Sequence, residues 1–408
     1  MVTILKSSYL DLCIVNGNTT YVMPKLVGIP NIMNSKRLHE MVDDMFQRKW
    51  LTNNGIYVQN LEKLLKEFLG VKHVIAVTNG TVGLEIAIHA LNIKGEAIVP
   101  SYTFIATPHS LLWSGVRPVF CDINPSTYNI DVDKIESLIT EKTSAILAVD
   151  VYGRPSDKDR LEEIAKNHNL RLIFDAAHSF GNSFKGEMIG NFGDAEVFSF
   201  HATKFFNSFE GGAIATNNEE IAIKCRAIRN FGFNGGERSE YLGINGKMTE
   251  VSAAMGIVSL ENLQHTVSAN RHNYHAYRDG LQGALGIKLI EYGEMEKCNY
   301  QYIIVEVDET ICGLSRDEIS IILESEGVGT RKYFSPGCHD MEPYSTMYPN
   351  IGSTLPFTEG AAKRVLALPT GTAVTPEDIA VITNIINISV ENAGKVREAL
   401  KAARKGGN

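Results

Sequence analysis

No two of the six cysteines stand in a CxxC pair or at a metal-ligand spacing: Cys13, Cys121, Cys225, Cys298, Cys312 and Cys338 are scattered along the chain. Reduced thiols and no metal site are therefore expected. Excess positive charge is missing too. A formal net charge of -8 argues against nucleic acid as the main partner, because phosphate backbones call for a basic face; it leaves room for a small basic pocket. No stretch approaches the roughly 18 consecutive apolar residues of a membrane span, and the opening MVTILKSSYLDLCIV has neither the basic start nor the small-residue cleavage site of a secretory signal. The chain thus reads as cytoplasmic, without a membrane partner. Internal repeats and low-complexity tracts are absent as well. What remains is 408 residues at 44% hydrophobic and 21% charged, the composition of a soluble globular protein, long enough at roughly 150 residues per domain for two or three of them.

From about Val71 to Asn217, short β-branched runs alternate with helix-like stretches. HVIAVTNG leads into TVGLEIAIHALNIKG, where Val82, Leu84, Ile86, Ile88, Ala90 and Leu91 fit a helix buried over much of its surface. EAIVPSYTF, RPVFCDI, SAILAVDVYG and LRLIFDAAHS follow, with PSDKDRLEEIAKNHN as an exposed crossover helix before the last. Continuous apolar strands separated by helices predict an α/β fold with a large, mostly parallel sheet covered on both faces. The span from Ser179 to Asp194 carries four glycines and predicts hairpin and loop. After Leu260 the texture changes. A helix around Glu261 to Leu281, the strand-like YQYIIVEVDE, the helical SRDEISIILESEG and a last helix from about Pro376 suggest a smaller α+β domain. The expected division is an arm over residues 1–30, a large domain over 31–260 and a small one over 261–408, with AARKGGN frayed at the end.

In open α/β sheets, ligands bind at the carboxyl ends of the strands, and four features stand there. Thr78-Asn79-Gly80-Thr81 opens a helix whose free amides suit a phosphate; the same residues also make an ordinary N-cap. Asp175 ends the run LRLIF, where a buried carboxylate requires a cation or strong donors, unless it only caps the next turn. His178 follows it, and alone would read as structural. Lys204 comes directly after AEVFSFHA. It is either a solvated loop cation or a desolvated amine able to attack a carbonyl. Phe104, in SYTFIAT, is core unless a flat ligand lies over it. Together, a phosphate cradle, a buried carboxylate, an amine and an aromatic plate are what pyridoxal phosphate needs.

These motifs resemble the DegT/DnrJ/StrS-type sugar aminotransferases. The likeness is carried by WLTNNG (50–55), TNGTVGLEIAI (78–88), PSYTFIAT (100–107), FDAAHSFG (174–181), SFHATK with FEGGAI (199–214), RNFGF (229–233), INGKMTEVSAAMG (244–256) and RKYFSPGCHDMEPY (331–344). It implies a fold-type I transferase dependent on pyridoxal 5'-phosphate, with pyridoxamine phosphate as the alternating form. Lys204 would form the Schiff base and then carry the proton, Asp175 would pair with the pyridine nitrogen, and His178 would lie near the phenolic oxygen. Gly80, Thr81 and Ser199 would hold the phosphate and Phe104 would cover the ring. Asn234 would reach the neighbouring subunit's cofactor, implying a homodimer with composite sites.

The forms FHATKFFNSFEGG and RKYFSPGCH are most similar to enzymes that aminate C4 of a dTDP-4-keto-6-deoxyhexose with L-glutamate as donor. Transamination rather than dehydration is implied, because Lys204 is a lysine and not a histidine. Arg331, Tyr333 and His339 are expected to face the cleft; Asn245 and Lys247, in the loop GINGKM, are expected to meet the diphosphate, although Arg331 and Lys247 also read as solvated surface charges. Rival readings are a 3-aminotransferase, a UDP-linked 4-aminotransferase and a non-catalytic regulator that binds the cofactor.

Overall fold

The computed structural model describes residues 5–32, 34–293 and 295–406. β1 (His73–Val77), β2 (Glu96–Pro100), β3 (Arg117–Cys121), β4 (Thr143–Val149) and β5 (Arg171–Asp175) are followed by a small hairpin, β6 (Ser183–Phe184) with β7 (Glu187–Met188), in the glycine-rich span where no helix was expected. β8 (Ala195–Ser199) and β9 (Gly212–Thr216) complete a seven-stranded sheet of order β1-β9-β8-β5-β4-β2-β3. The run from β8 to β3 is parallel, and β9 lies antiparallel to both β1 and β8.

Side chains that alternate along each strand enter different layers. Ile173, Val99 and Ile214 pack with the helices Gly80–Ala90, Ala106–Trp113 and Glu219–Arg229. Phe174, Ile98 and Ala215 face the helices Ser35–Arg48, Ile56–Leu69, Lys158–Asn167 and Glu250–Glu261. Both faces are covered, which is why the strands read as continuous apolar runs.

A second, antiparallel sheet joins β10 (Ile287–Leu289), β11 (Ile303–Val307) and β12 (Val365–Leu368). It shares a core with the helices Leu263–Gly280, Arg316–Ser325 and Pro376–Glu391. The N-terminal segment is tied to this layer: Leu12 is buried in it, and the Glu326 carboxylate accepts from the Cys13 amide (2.6 Å) and the Thr20 hydroxyl (2.6 Å). The last helix, Ala393–Gly406, packs Val396 and Leu400 into the same core and runs on through 402–406 of the AARKGGN ending expected to fray; Gly407 and Asn408 lie outside the described residues. Among the described residues, no helix is long and apolar enough to cross a membrane.

Candidate active site

Lys204 sits in the turn beyond β8, and the aromatics around it explain why the turn is held. Phe200, Phe205 and Phe206 are buried, with the Phe206 ring tilted 4.5 Å from Phe180 and edge-on 4.6 Å from Phe200. They anchor the backbone in the core while the lysine side chain, partly exposed, projects away from it. Its Nζ donates to the Tyr302 hydroxyl at 3.2 Å. Loss of hydration pushes the ammonium down to about 8, against the pull of the Asp175 carboxylate and Tyr333 in the other direction.

Asp175, 7% exposed, ends the neighbouring strand β5. Its Oδ2 accepts from the Thr107 hydroxyl at 2.7 Å and its Oδ1 from the Ala177 amide at 3.2 Å. No cation lies within ion-pair distance of it among the described residues. Burial raises its carboxyl above the usual range, and those donors together with Lys204 offset part of the rise. His178 is buried beside it; burial, and then the Lys204 charge, hold its ring well below the ordinary histidine range. Its Nδ1 accepts from the Tyr152 amide at 3.2 Å, so the neutral ring carries its proton on Nε2. Tyr152 reaches that position with φ 59°, a conformation that bulky residues adopt only when their surroundings hold them there. Both the Tyr152 and Tyr102 hydroxyls donate to the Tyr333 carbonyl, at 2.5 and 2.8 Å.

Across β9, the Gly80–Ala90 helix begins against the end of β8. Asn79 caps it, accepting from the Val82 amide at 2.9 Å. The amides of Gly80 and Thr81 have no partner among the described residues, as the first turn of a helix leaves them. A Cβ at Gly80 would stand 3.1 Å from the Ser199 Cβ, so helix start and strand end approach as closely as glycine permits. The capping and cradle readings of this stretch thus coexist on different atoms.

Phe104 is 58% exposed and borders a cavity of about 450 Å³ together with Glu324, Arg331, Tyr333 and Met341. Tyr333 also lines the narrow space beside Tyr302. Arg331 is exposed, with no ion pair among the described residues. His339 is not brought to this cavity. It is 1% exposed, its Nδ1 2.7 Å from the Ser101 hydroxyl and its Nε2 3.0 Å from Glu359. Both ring nitrogens are spent on fastening its turn to the end of β2 and to the Pro356–Arg364 helix, which corrects the expectation that it faces the cleft.

Asn234 and Lys247 line a different cavity, of about 380 Å³, with Asn53, Asn54, Arg226 and Arg229. The Lys247 Nζ donates to the Asn245 Oδ1 at 2.6 Å and lies 4.3 Å over the Phe231 ring; Asn234 bonds Glu240 at 3.2 Å. Within one chain these residues therefore do not join Arg331 and Tyr333. Thr107, Tyr152 and Tyr302 are the neighbours that sequence reasoning missed. Thr107 lies inside a quoted motif as an unremarked helix residue, and Tyr302 reads as one more strand aromatic, so neither carries a signal of its own.

Fold and site define an α/β transferase of fold-type I, with an amine and a carboxylate at adjacent strand ends. The chain belongs to the DegT/DnrJ/EryC1/StrS aminotransferase family, whose profile matches residues 33–387, and is an aminotransferase. It is 36% identical over 360 residues (88% of this chain, 96% of the relative) to a dTDP-4-amino-4,6-dideoxy-D-glucose transaminase of Escherichia coli. A protein of the same name from Shigella dysenteriae is 38% identical over 350 residues, 85% of this chain and 94% of that one. Among solved structures, DesI in the presence of its TDP-sugar product superimposes with a TM-score of 0.92 at 42% identity, covering 96% of this chain and 99% of that one.

Proposed function

We propose that this aminotransferase holds pyridoxal 5'-phosphate and moves an amino group from L-glutamate to C4 of a dTDP-4-keto-6-deoxyhexose, giving dTDP-4-amino-4,6-dideoxyglucose. The observation that carries the reading is an amine held to about 8 beside a buried carboxylate without an ion pair, on adjacent strand ends. The residues fit the cofactor. Unpartnered amides at Gly80 and Thr81, with the Ser199 hydroxyl beside them, suit a phosphate. Asp175 lacks the cation that its burial calls for, and a protonated ring nitrogen would supply it. Phe104 offers an uncovered aromatic face. The two transaminases and DesI, all named for dTDP- or TDP-linked sugars, support the choice of nucleotide sugar.

When bound, the cofactor supplies an aldehyde to accept the amino group and a pyridinium ring to spread negative charge. Asp175, its ionised form supported by Thr107 and Ala177, would hold the proton on the ring nitrogen. His178, fixed as the Nε2–H form by the Tyr152 amide, would offer a neutral donor to the cofactor's phenolic oxygen rather than adding charge. Lys204, as a free amine, would carry a proton at Nζ in each half of the reaction, from the α-carbon of the donor to the cofactor in the first and from the cofactor to C4 of the sugar in the second. An amine titrating near 8 is a competent base at neutral pH, whereas one near 10.4 is almost wholly protonated. Arg331 and Tyr333 line the space for the sugar nucleotide.

A homodimer accounts for the second cavity. Trp50, Leu51, Ile56, Phe231 and Leu242, in or beside the stretches of chain that line it, are exposed apolar residues, of the kind a second copy of the chain would cover. Asn234, Asn245 and Lys247 then reach the partner's phosphate groups. The test is incubation of the purified protein with L-glutamate and a panel of dTDP- and UDP-linked 3- and 4-ketosugars, with the product amine located by NMR. Amination at C4 of the dTDP-linked 4-ketosugar is expected; amination at C3, or preference for the UDP sugar, overturns the assignment. A shift of the bound cofactor's spectrum on adding glutamate alone separates an enzyme from a regulator.

A further inference from the structure

A buried ion triad behind the site takes no part in the steps above. Lys158, Asp150 and Glu196 are all 0% exposed, and the Lys158 Nζ stands 2.9 Å from the Asp150 Oδ2 and 2.9 Å from the Glu196 Oε1. Such a trio gains little stability over apolar residues of the same volume. Lys158 also opens a helix, where a cation meets the unfavourable end of the dipole.

Its connections run to the site from behind. Asp150 follows β4 and donates its amide to the Asp175 carbonyl at 3.2 Å, while Glu196 pairs in register with Phe174, the residue before Asp175. The Lys158 ammonium lies 3.5 Å over the Phe174 ring. On the far side of Asp175, the Ser179 hydroxyl, next to His178, donates to the Asp150 Oδ2 at 2.9 Å. The remaining carboxylate capacity is filled: the Asp150 Oδ1 accepts from the Ser156 amide and hydroxyl, and the Glu196 Oε2 from the amides of Gly190 and Phe192. The triad thus grips β4, β5 and β8 at the level of Asp175 and holds both ends of the turn from Phe174 to Ser179.

We propose that Lys158, Asp150 and Glu196 are positioning residues that fix the turn carrying Asp175 and His178 against the cofactor, with Ser179 as the link. The proposal rests on the reading of this site as one for pyridoxal phosphate. Ser179→Ala cuts the link without altering a charge. The combined variant Lys158→Met, Asp150→Asn, Glu196→Gln removes the triad while leaving the core neutral. The measurements are hydrogen exchange of residues 174–180 in the apoprotein, the pyridoxal phosphate Kd and absorbance spectrum on titration, and Tm. In both variants the segment is expected to exchange about tenfold faster, and Kd to rise about tenfold with an altered spectrum, while Tm moves by only a few degrees. If the combined variant fails to fold, Ser179→Ala decides alone. Unchanged exchange, Kd and spectrum reduce the triad to a structural role and overturn the proposal; a wild-type chain that does not bind the cofactor overturns the parent reading instead.

Discussion

The chemistry of the site depends on the state of one amine. With a pKa of about 8, roughly a tenth of Lys204 is neutral at pH 7, against roughly four in ten thousand for a lysine near 10.4. Since the shift is downward, the neutral form grows as pH rises through about 8, and the folded apoprotein gains stability from there up to the ordinary lysine pKa. An amine-directed reagent applied to the apoprotein should therefore label Lys204 ahead of the surface lysines, with a rate midpoint near pH 8 by mass spectrometry. Tyr302→Phe removes the acceptor at 3.2 Å, and Asp175→Asn removes a charge that favours the ammonium; each should move the midpoint further down, by about half a unit or more. A midpoint above 9 in the wild type contradicts the burial argument. Asp175 was legible as a strand end because it closes the apolar run LRLIF, whereas Lys204, in the turn beyond β8, was marked only by the motif around it. Tyr302 was not legible, since the second sheet delivers it and no local pattern tells which face of β11's approach looks toward the amine.

At the level of elements, β1 to β5, β8 and β11 and the helices Gly80–Ala90, Lys158–Asn167, Leu263–Gly280, Arg316–Ser325 and Pro376–Glu391 were legible from period and composition; β9, β10, β12, the helices Ser35–Arg48 and Ile56–Leu69, and the strand order were not. Nothing in the run GGAIATN says that β9 inserts between β1 and β8 in reverse direction; the insertion brings backbone atoms close against Gly212. A Cβ there would meet the Phe198 carbonyl oxygen at 2.7 Å, the Asn79 carbonyl carbon at 2.8 Å and the Gly80 amide nitrogen at 2.9 Å, all backbone atoms that cannot step aside. Gly212→Ala should accordingly destabilise the protein by roughly 3 kcal/mol or more, measured by urea unfolding of the apoprotein. Gly80→Ala differs, because its nearest neighbour is the Ser199 Cβ at 3.1 Å and a small tilt of the helix start relieves the contact. It should leave unfolding nearly unchanged while weakening cofactor binding about tenfold or more, since the tilt turns the first amides away from Ser199. Equal effects of the two substitutions on unfolding would contradict the geometry. The helix Glu250–Glu261 was legible only as a motif: small and apolar residues surround it on all sides, so no stripe marks a face.

For the molecule as a whole, a single chain places the proposed substrate residues in two cavities that share no lining residue, one with Phe104, Arg331 and Tyr333 and the other with Asn234 and Lys247. On the proposed reading of a homodimer with composite sites, one ligand meets both sets where two copies of the chain face each other, and the second set would serve the partner's Lys204. The mass in solution should be about twice 45.0 kDa. The sharper consequence concerns mixtures. Lys204→Ala lacks the amine and Lys247→Ala lacks the cation supplied across the interface, so each homodimer is impaired at every site. A mixed dimer, however, concentrates both defects in one site and leaves the other with an intact Lys204 and an intact Lys247. Random reassortment of equal amounts should then restore about a quarter of the wild-type rate at low sugar-nucleotide concentration, half of the dimers carrying one good site of two. If Lys247 acted beside the lysine of its own chain, no mixture could assemble an intact site, and the rate would stay at the average of the two variants.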